Sequence, residues 1–314
     1  MSKELLFATL NHEETERAPW VPFAGVHAGF VIGATATEVL TDEELLFKSL
    51  MEVNRLYKPD GQPILFDLQL EAEIMGCDLR WADDNPPSVC SHPLEDDDEG
   101  TIPDDSLLPT PESGRMPMVL SVMRRMKEAV GDTTALYGLF CGPFTLASHL
   151  RGNDIFMDMF DDEDYVKDLL AYCVKAGKRM IDMYVDAGMD LVAVVDPLVS
   201  QISPKHFTEF MHEPFKELFD YIREKGVYSS LFVCGDATKN IEVMCKTGPD
   251  SLHIDENVDM VGAKKVADQY NVVMGGNIPL TSVMLHGNQL DNMKAVIDLI
   301  DAVNSKSNFV MAPG

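Results

Sequence analysis

Positive charge is what this chain has least of. Lys and Arg number 25 against 52 Asp and Glu, a formal net charge of −27. That balance disfavours nucleic acid and anionic membrane surfaces, both of which would repel it. It reads either as a solvated acidic surface or as an acidic face that steers a partner protein. No apolar run is long enough to span a bilayer. The opening MSKELLFATLNHEETER has neither the apolar core nor the cleavage site of a secretory signal, and reads instead as an amphipathic helix. Six cysteines lie scattered at Cys77, Cys90, Cys141, Cys173, Cys234 and Cys245. With no secretory signal they are expected as reduced thiols, and the expected address is the cytoplasm. There is no GxGxxG, Walker loop, HExxH or GxSxG. Their absence argues against ordinary dinucleotide, nucleoside triphosphate, zincin and α/β-hydrolase sites.

What is present is a rhythm. Apolar runs keep ending in a polar or small reactive tip: PILF before Asp67, LVAVV before Asp196, LFV before Cys234, SLHI before Asp255, and VVMGG before Asn277. Helical periodicity fills the stretches between them. Such runs are the mark of parallel strands buried on both faces and joined by helices. Eight of them fall near residues 21, 63, 134, 190, 229, 251, 272 and 309. The expected fold class is therefore α/β, a single (β/α)8 barrel over residues 1–314, with its chemistry at the C-terminal strand ends. The eighth strand lies at 308–312, so the reading expects a barrel lacking its last helix. Thr41 and Glu44 are spaced as a capping box opening a helix with Leu46, Leu50, Val53 and Tyr57 on one face. Ser203-Pro204 reads as another helix start, with a bend expected at Pro214. Residues 77–113 read as a long irregular excursion over the barrel.

The tips supply the candidate chemistry. Cys234 follows an apolar strand and precedes Gly235-Asp236, a geometry suited to a metal ligand or nucleophile; the alternative is a buried, inert thiol. Asp67, Asp196 and Asp255 end three strands, where aspartate is otherwise depleted. They either line a polar cavity or cap the next element. His253 lies two residues before Asp255 and therefore on the same strand face, one layer deeper. It is read as a ligand or as a hydrogen-bonded core histidine. His149 and His27 fall just past strands three and one and are candidates for proton donation or substrate orientation, with a plain surface loop the alternative for His27. Phe23, Phe30, Phe144 and Phe232 lie near the tips and could sandwich an arene or simply pack the core.

Several segments in order resemble the uroporphyrinogen decarboxylase superfamily. NHEETERAPWVPF is similar to its first-strand segment. FDLQLEAEIMGCDLRW is similar to its second strand, with Asp67 on the family's aspartate and Gly76 on its glycine. GLFCGPFTLASHLRG and GGNIPLTSVMLHG resemble two further stretches. The resemblance implies a (β/α)8 barrel and spans essentially the whole chain. Departures select the branch. The decarboxylases carry an arginine pair after strand one, where this chain reads PFAGVHAGF, and their tyrosine after strand three is matched by His149. The resemblance therefore points to the corrinoid-linked methyltransferases, which hold Zn2+ through a His-x-Cys and a distant Cys. Cys234 falls on the first cysteine of that pattern, Phe232 stands where the histidine would be, and the distant cysteine is expected just after Gly314. Asp255, His253 and His149, in that order, are then the candidates for the missing ligand. The implied reaction is methyl transfer from a methoxylated aromatic compound to the Co(I) of a corrinoid, with His149 and Asp67 catalytic and Phe23, His27, Phe144, Phe232 and Asp196 around the substrate. No D-x-H-x-x-G cobalamin motif is present, so the corrinoid is expected on a separate protein. Two alternatives stay open: methyl transfer from a methylated corrinoid protein to tetrahydrofolate or a thiol, and a non-catalytic barrel that binds a ligand or a corrinoid protein. The resemblance also leaves room for a homodimer.

Overall fold

Seven of the eight apolar runs form strands of one parallel sheet. They are β1 (Gly61–Pro63), β2 (Ala135–Cys141), β3 (Leu191–Val195), β4 (Tyr228–Val233), β5 (Ser251–Ile254), β6 (Val273–Ile278) and β7 (Phe309–Pro313), and each pairs only with its neighbours in sequence. The structure is a computed structural model describing residues 2–97 and 100–314. Every residue of β2, β3, β5, β6 and β7 is buried, as expected of strands covered on both faces.

The expected strand near residue 21 is reduced to a single bridge. Trp20 pairs in parallel with Met311, Val21 donates its N–H to the Met311 carbonyl, and Asp60 donates its own to the Trp20 carbonyl. Trp20 thus closes the ring between β7 and β1. Pro19 and Pro22 flank this segment and have no N–H to give, so no ladder can extend beyond it.

Helices cover the outside. The longest, Glu163–Asp186, starts at Asp162, whose side chain accepts from the Tyr165 N–H. The capping box lies earlier than expected, at Thr35 and Glu38; Thr41 ends that short helix, and Asp42 caps the helix Glu43–Tyr57. Tyr57, expected on its buried face, is exposed and hydrogen-bonds His27. Ser203 caps as expected, and a π-helical stretch, Phe207–Met211, stands just before Pro214, where the missing N–H interrupts regular bonding. The excursion holds one small hairpin, Leu79–Arg80 with Ser88–Val89, and packs on the helix Pro143–Arg151 through Leu94 and His92. Part of its acidic run, at 98 and 99, lies outside the described residues.

The N-terminal helix Ser2–Leu10 has a different place. Leu6 and Leu10 belong to the barrel's interior cluster with Val21, Tyr137 and Val310. Lys3 reaches Gly131 and Asp190, which precede β2 and β3, and the Phe7 ring lies 5.2 Å from Tyr228 at the start of β4. The helix therefore plugs the N-terminal end of the barrel. On the outside, the helix Gln289–Val303 buries only Val303 and leaves Leu290, Met293 and Ile297 exposed. A groove of about 430 Å³ beside it is lined by Trp20, Ile278, Val296, Ile300 and Met311. Among the described residues no helix is long and apolar enough to cross a membrane.

Candidate active site

The C-terminal strand ends converge on an aromatic layer. Phe23, just past Trp20, lies 4.9 Å from Phe232 on β4, 5.0 Å from His253 on β5 and 6.2 Å from Phe66 beyond β1, measured between ring centroids. Phe232 and His253 are register partners on adjacent strands, and their rings lie nearly parallel. His253 is fully buried, and neither ring nitrogen has a hydrogen-bond partner. Burial among apolar rings drives its pKa down to about 3, so the imidazole is neutral at pH 7. Gly275 on β6 makes room for it: a Cβ there would lie 2.2 Å from His253 Nδ1.

Cys234 and Asp255 stand one step above that layer, on the same two strands. The Asp255 carboxylate accepts from the Gly235 N–H through Oδ2 and from the Asn257 N–H and side-chain amide through Oδ1. Partial burial, and then the Asp255 charge, push the Cys234 thiol up to about 11. As placed, Asp255 is occupied by its capping bonds and His253 sits a layer below. Among the described residues no three His, Cys, Asp or Glu side chains come together in a way that could hold a metal ion. The described donors therefore do not fit a complete Zn2+ site.

Asp67 is buried and engaged by Arg115, whose Nη1 lies 2.6 Å from Oδ2. The Gln69 N–H donates to the other carboxylate oxygen. Arg115 also binds Glu73 at 2.7 Å and the Leu40 carbonyl, and stacks on Trp81. Asp196 is buried too, but it faces the next helix: it accepts from the Phe144 and Thr145 N–H groups and from the Thr145 hydroxyl. It supplies the cap that Gly142 cannot, and a Cβ at Gly142 would lie 2.4 Å from it. Burial, opposed by these bonds, still raises its pKa to about 7.

The other candidates scatter. Phe144 packs against Phe156 outside the barrel, 5.4 Å between rings. His27 is exposed, 2.7 Å from the Tyr57 hydroxyl, and Phe30 is exposed as well. His149 lies on the helix Pro143–Arg151 with Nδ1 4.0 Å from Cys141 Sγ, its pKa lowered to about 4 by burial and by His92. The structure thus brings together Phe23, Phe232, His253, Cys234 and Asp255, and sets Phe144 and His27 apart from them.

The sequence reading passed over three residues beside Asp67. Glu71 is wholly buried; its Oε1 accepts from the Cys141 N–H, and burial drives its pKa up to about 8. Glu71 Oε2, Gln69 Oε1 and Arg115 Nη2 are all buried without a partner. Glu71 and Gln69 stand in the FDLQLE segment and could have been singled out there. Arg115 carries no local signal, because its partner Asp67 lies 48 residues away.

Comparison with known proteins gives a consistent picture. A family model described as uroporphyrinogen decarboxylase (URO-D) matches residues 1–314. A methylcobamide:CoM methyltransferase, MtbA, of Methanosarcina mazei is 28% identical over 307 residues, which cover 96% of this chain and 89% of that protein. A uroporphyrinogen decarboxylase of a Synechococcus strain is 25% identical over 245 residues, 75% of this chain and 68% of that protein. A solved structure of a methyltransferase from Methanosarcina mazei superposes with a TM-score of 0.89 at 26% identity, covering 100% of this chain and 92% of that one.

Proposed function

The chain belongs to the uroporphyrinogen decarboxylase family, and from that premise we propose that it is a methyltransferase that moves a methyl group between a small substrate and the cobalt of a corrinoid carried on a separate protein. The similarity to the Methanosarcina methyltransferases over nearly the whole chain supports this class. The missing arginine pair speaks against a polyanionic porphyrinogen. So does Arg115, the arginine beside the second strand tip, because Asp67 and Glu73 already hold it.

The proposed substrate is a neutral methoxylated arene, with the methyl group passing to Co(I). The observation that carries this is the aromatic layer at the strand ends, where Phe23, Phe66 and Phe232 form an apolar face beside the Cys234 tip. Offset and edge-on ring packing suits an arene better than a small charged thiol. The docked corrinoid supplies the nucleophile. The barrel's own residues orient the arene, keep water from the layer, and hold Asp67 fixed through Arg115. His149 is neutral at pH 7 and contributes packing and orientation rather than a proton. Because the described donors do not fit a zinc site, no step is assigned to a metal.

A second reading, transfer from a methylated corrinoid protein to a thiol, is favoured by what the similar MtbA is described as doing. An assay with reduced corrinoid protein and 2-methoxyphenol separates the two. Free catechol and the absorbance change of a methylated corrinoid are expected. Consumption of methyl-corrinoid by thiols or tetrahydrofolate, with no reaction of methoxyarenes, would establish the second reading.

A further inference from the structure

We propose that Gln69, Glu71 and Arg115 form a polar pocket for the oxygens of the methyl donor, in which Arg115 Nη2 and Glu71 Oε2 meet the ether oxygen, Gln69 Oε1 receives a hydroxyl ortho to it, and Glu71 protonates the departing phenolate. This rests on the methoxyarene reading and deepens it. Its basis is geometric. Three side-chain atoms on residues gathered around one buried carboxylate are sealed from solvent and have no partner in the chain. Buried polar atoms are nearly always satisfied, and leaving one unmet costs about 1–3 kcal/mol. Three together, one of them an obligate donor and one an obligate acceptor, mark a place where an outside molecule completes the bonding.

The occupant must accept from a guanidinium and a carboxyl group and donate to an amide oxygen. A methoxyarene with an ortho hydroxyl does both. A carboxylated arene would bring its negative charge beside Asp67. Leu68, between Asp67 and Gln69 in the chain, packs against both the interior cluster and the outer core, which sets these residues at the boundary between the two.

The departing phenolate also takes up a proton, and of the three pocket residues Glu71 is the one that holds an acidic proton. As the methyl carbon bonds to cobalt, which passes from Co(I) to Co(III), the carbon–oxygen bond breaks and its electron pair stays on the phenolate. Glu71 gives its proton to that oxygen, and a water that takes the place of the departing phenol returns one to it. The groups facing Glu71 are Asp67 just before Glu71's own helix, Leu70–Ile74, Arg115 from the start of the Met116–Val130 helix, Cys141 on β2 and Tyr184 on the long outer helix. With a pKa of about 8, Glu71 is mainly protonated at pH 7, whereas His149, at about 4, is not.

Two measurements test this. Calorimetric titration of the protein alone with 2-methoxyphenol and with methoxybenzene should show a preference for the hydroxylated ligand. Gln69→Leu should abolish that preference, and exposed Glu213→Gln should retain it. Single-turnover demethylation of 2-methoxyphenol should fall about tenfold per pH unit above pH 8 in the parent protein. In Glu71→Gln it should be at least roughly a hundredfold slower and lack that fall, with ligand affinity kept within about twofold. Melting temperatures like the parent's would show that both variants fold. Unchanged preference in Gln69→Leu, or an unchanged rate and pH profile in Glu71→Gln, would overturn the proposal. If no methoxyarene is demethylated at all, the functional reading fails and the pocket is judged by calorimetry alone: a lost preference in Gln69→Leu supports it, and equal binding of the two ligands, with water as the sole occupant, overturns it.

Discussion

The buried imidazole of His253 should make this protein acid-sensitive by a measurable amount. Its folded pKa is about 3, against an ordinary value of 6.5. A depressed imidazole pKa means that the unfolded chain takes up the proton first. The stability is therefore complete above pH 6.5 and declines as pH falls toward 3. A pH of 4 lies about 2.5 units below the pKa of the unfolded imidazole, while the folded one is still mainly neutral. At about 1.4 kcal/mol per unit, the loss between pH 7.5 and pH 4 is about 3 kcal/mol. The ring cannot escape by rotating toward β6, because Gly275 only just clears Nδ1. The assay is urea unfolding of the parent and His253→Leu at both pH values. Leucine changes packing at either pH, so the informative quantity is how much each protein loses on acidification. The variant should lose about 3 kcal/mol less. His149, Glu71 and Asp196 also titrate with shifted values, but they do so in both proteins and cancel in the comparison. Equal losses would refute the reasoning and show that the folded imidazole is charged or finds a partner.

Other outcomes follow from the same site. Arg115→Leu should destabilise the fold by about 3–5 kcal/mol in urea unfolding, since it strands the buried Asp67 carboxylate, and Arg115→Lys should recover only part of that because an ammonium cannot span Asp67 and Glu73 as the guanidinium does. Cys234, with its thiol at about 11, should react with iodoacetamide at pH 8 roughly a hundredfold more slowly than an ordinary thiol, with exposed Cys90 as the fast internal reference in peptide mapping. Asp255→Asn should speed that reaction by removing the neighbouring charge; a slower reaction would place Cys234 in different surroundings.

The strands and their tips were legible because strands buried on both faces leave continuous apolar runs. The segment near residue 21 reads as a strand because WVPF is apolar, yet Pro19 and Pro22 remove hydrogen bonds that would make one. Cys234, Asp255 and His253 could be placed near one another from strand alternation and order alone. What the tips do was harder to read. An aspartate at a strand end looks the same whether it lines a cavity or caps a helix, and Asp196 turns out to cap the helix after β2, the neighbouring strand, which no local pattern records. Phe144 stands beside a tip in sequence yet points to the outer layer, because the helix it opens turns that face away from the barrel. The Asp67–Arg115 pair depends on a contact that crosses the whole irregular excursion, so only the folded chain reveals it.

The N-terminal helix has a kinetic consequence. Leu6 and Leu10 pack against Val21, Tyr137 and Val310 beneath the aromatic layer, so the N-terminal end offers that layer no approach, and a small molecule bound there would enter and leave by one doorway, the C-terminal strand ends. A macromolecular partner seated over that doorway would shut the small molecule in or out. Turnover should then follow a compulsory order, with the small substrate entering before the partner docks and its product leaving only after the partner departs.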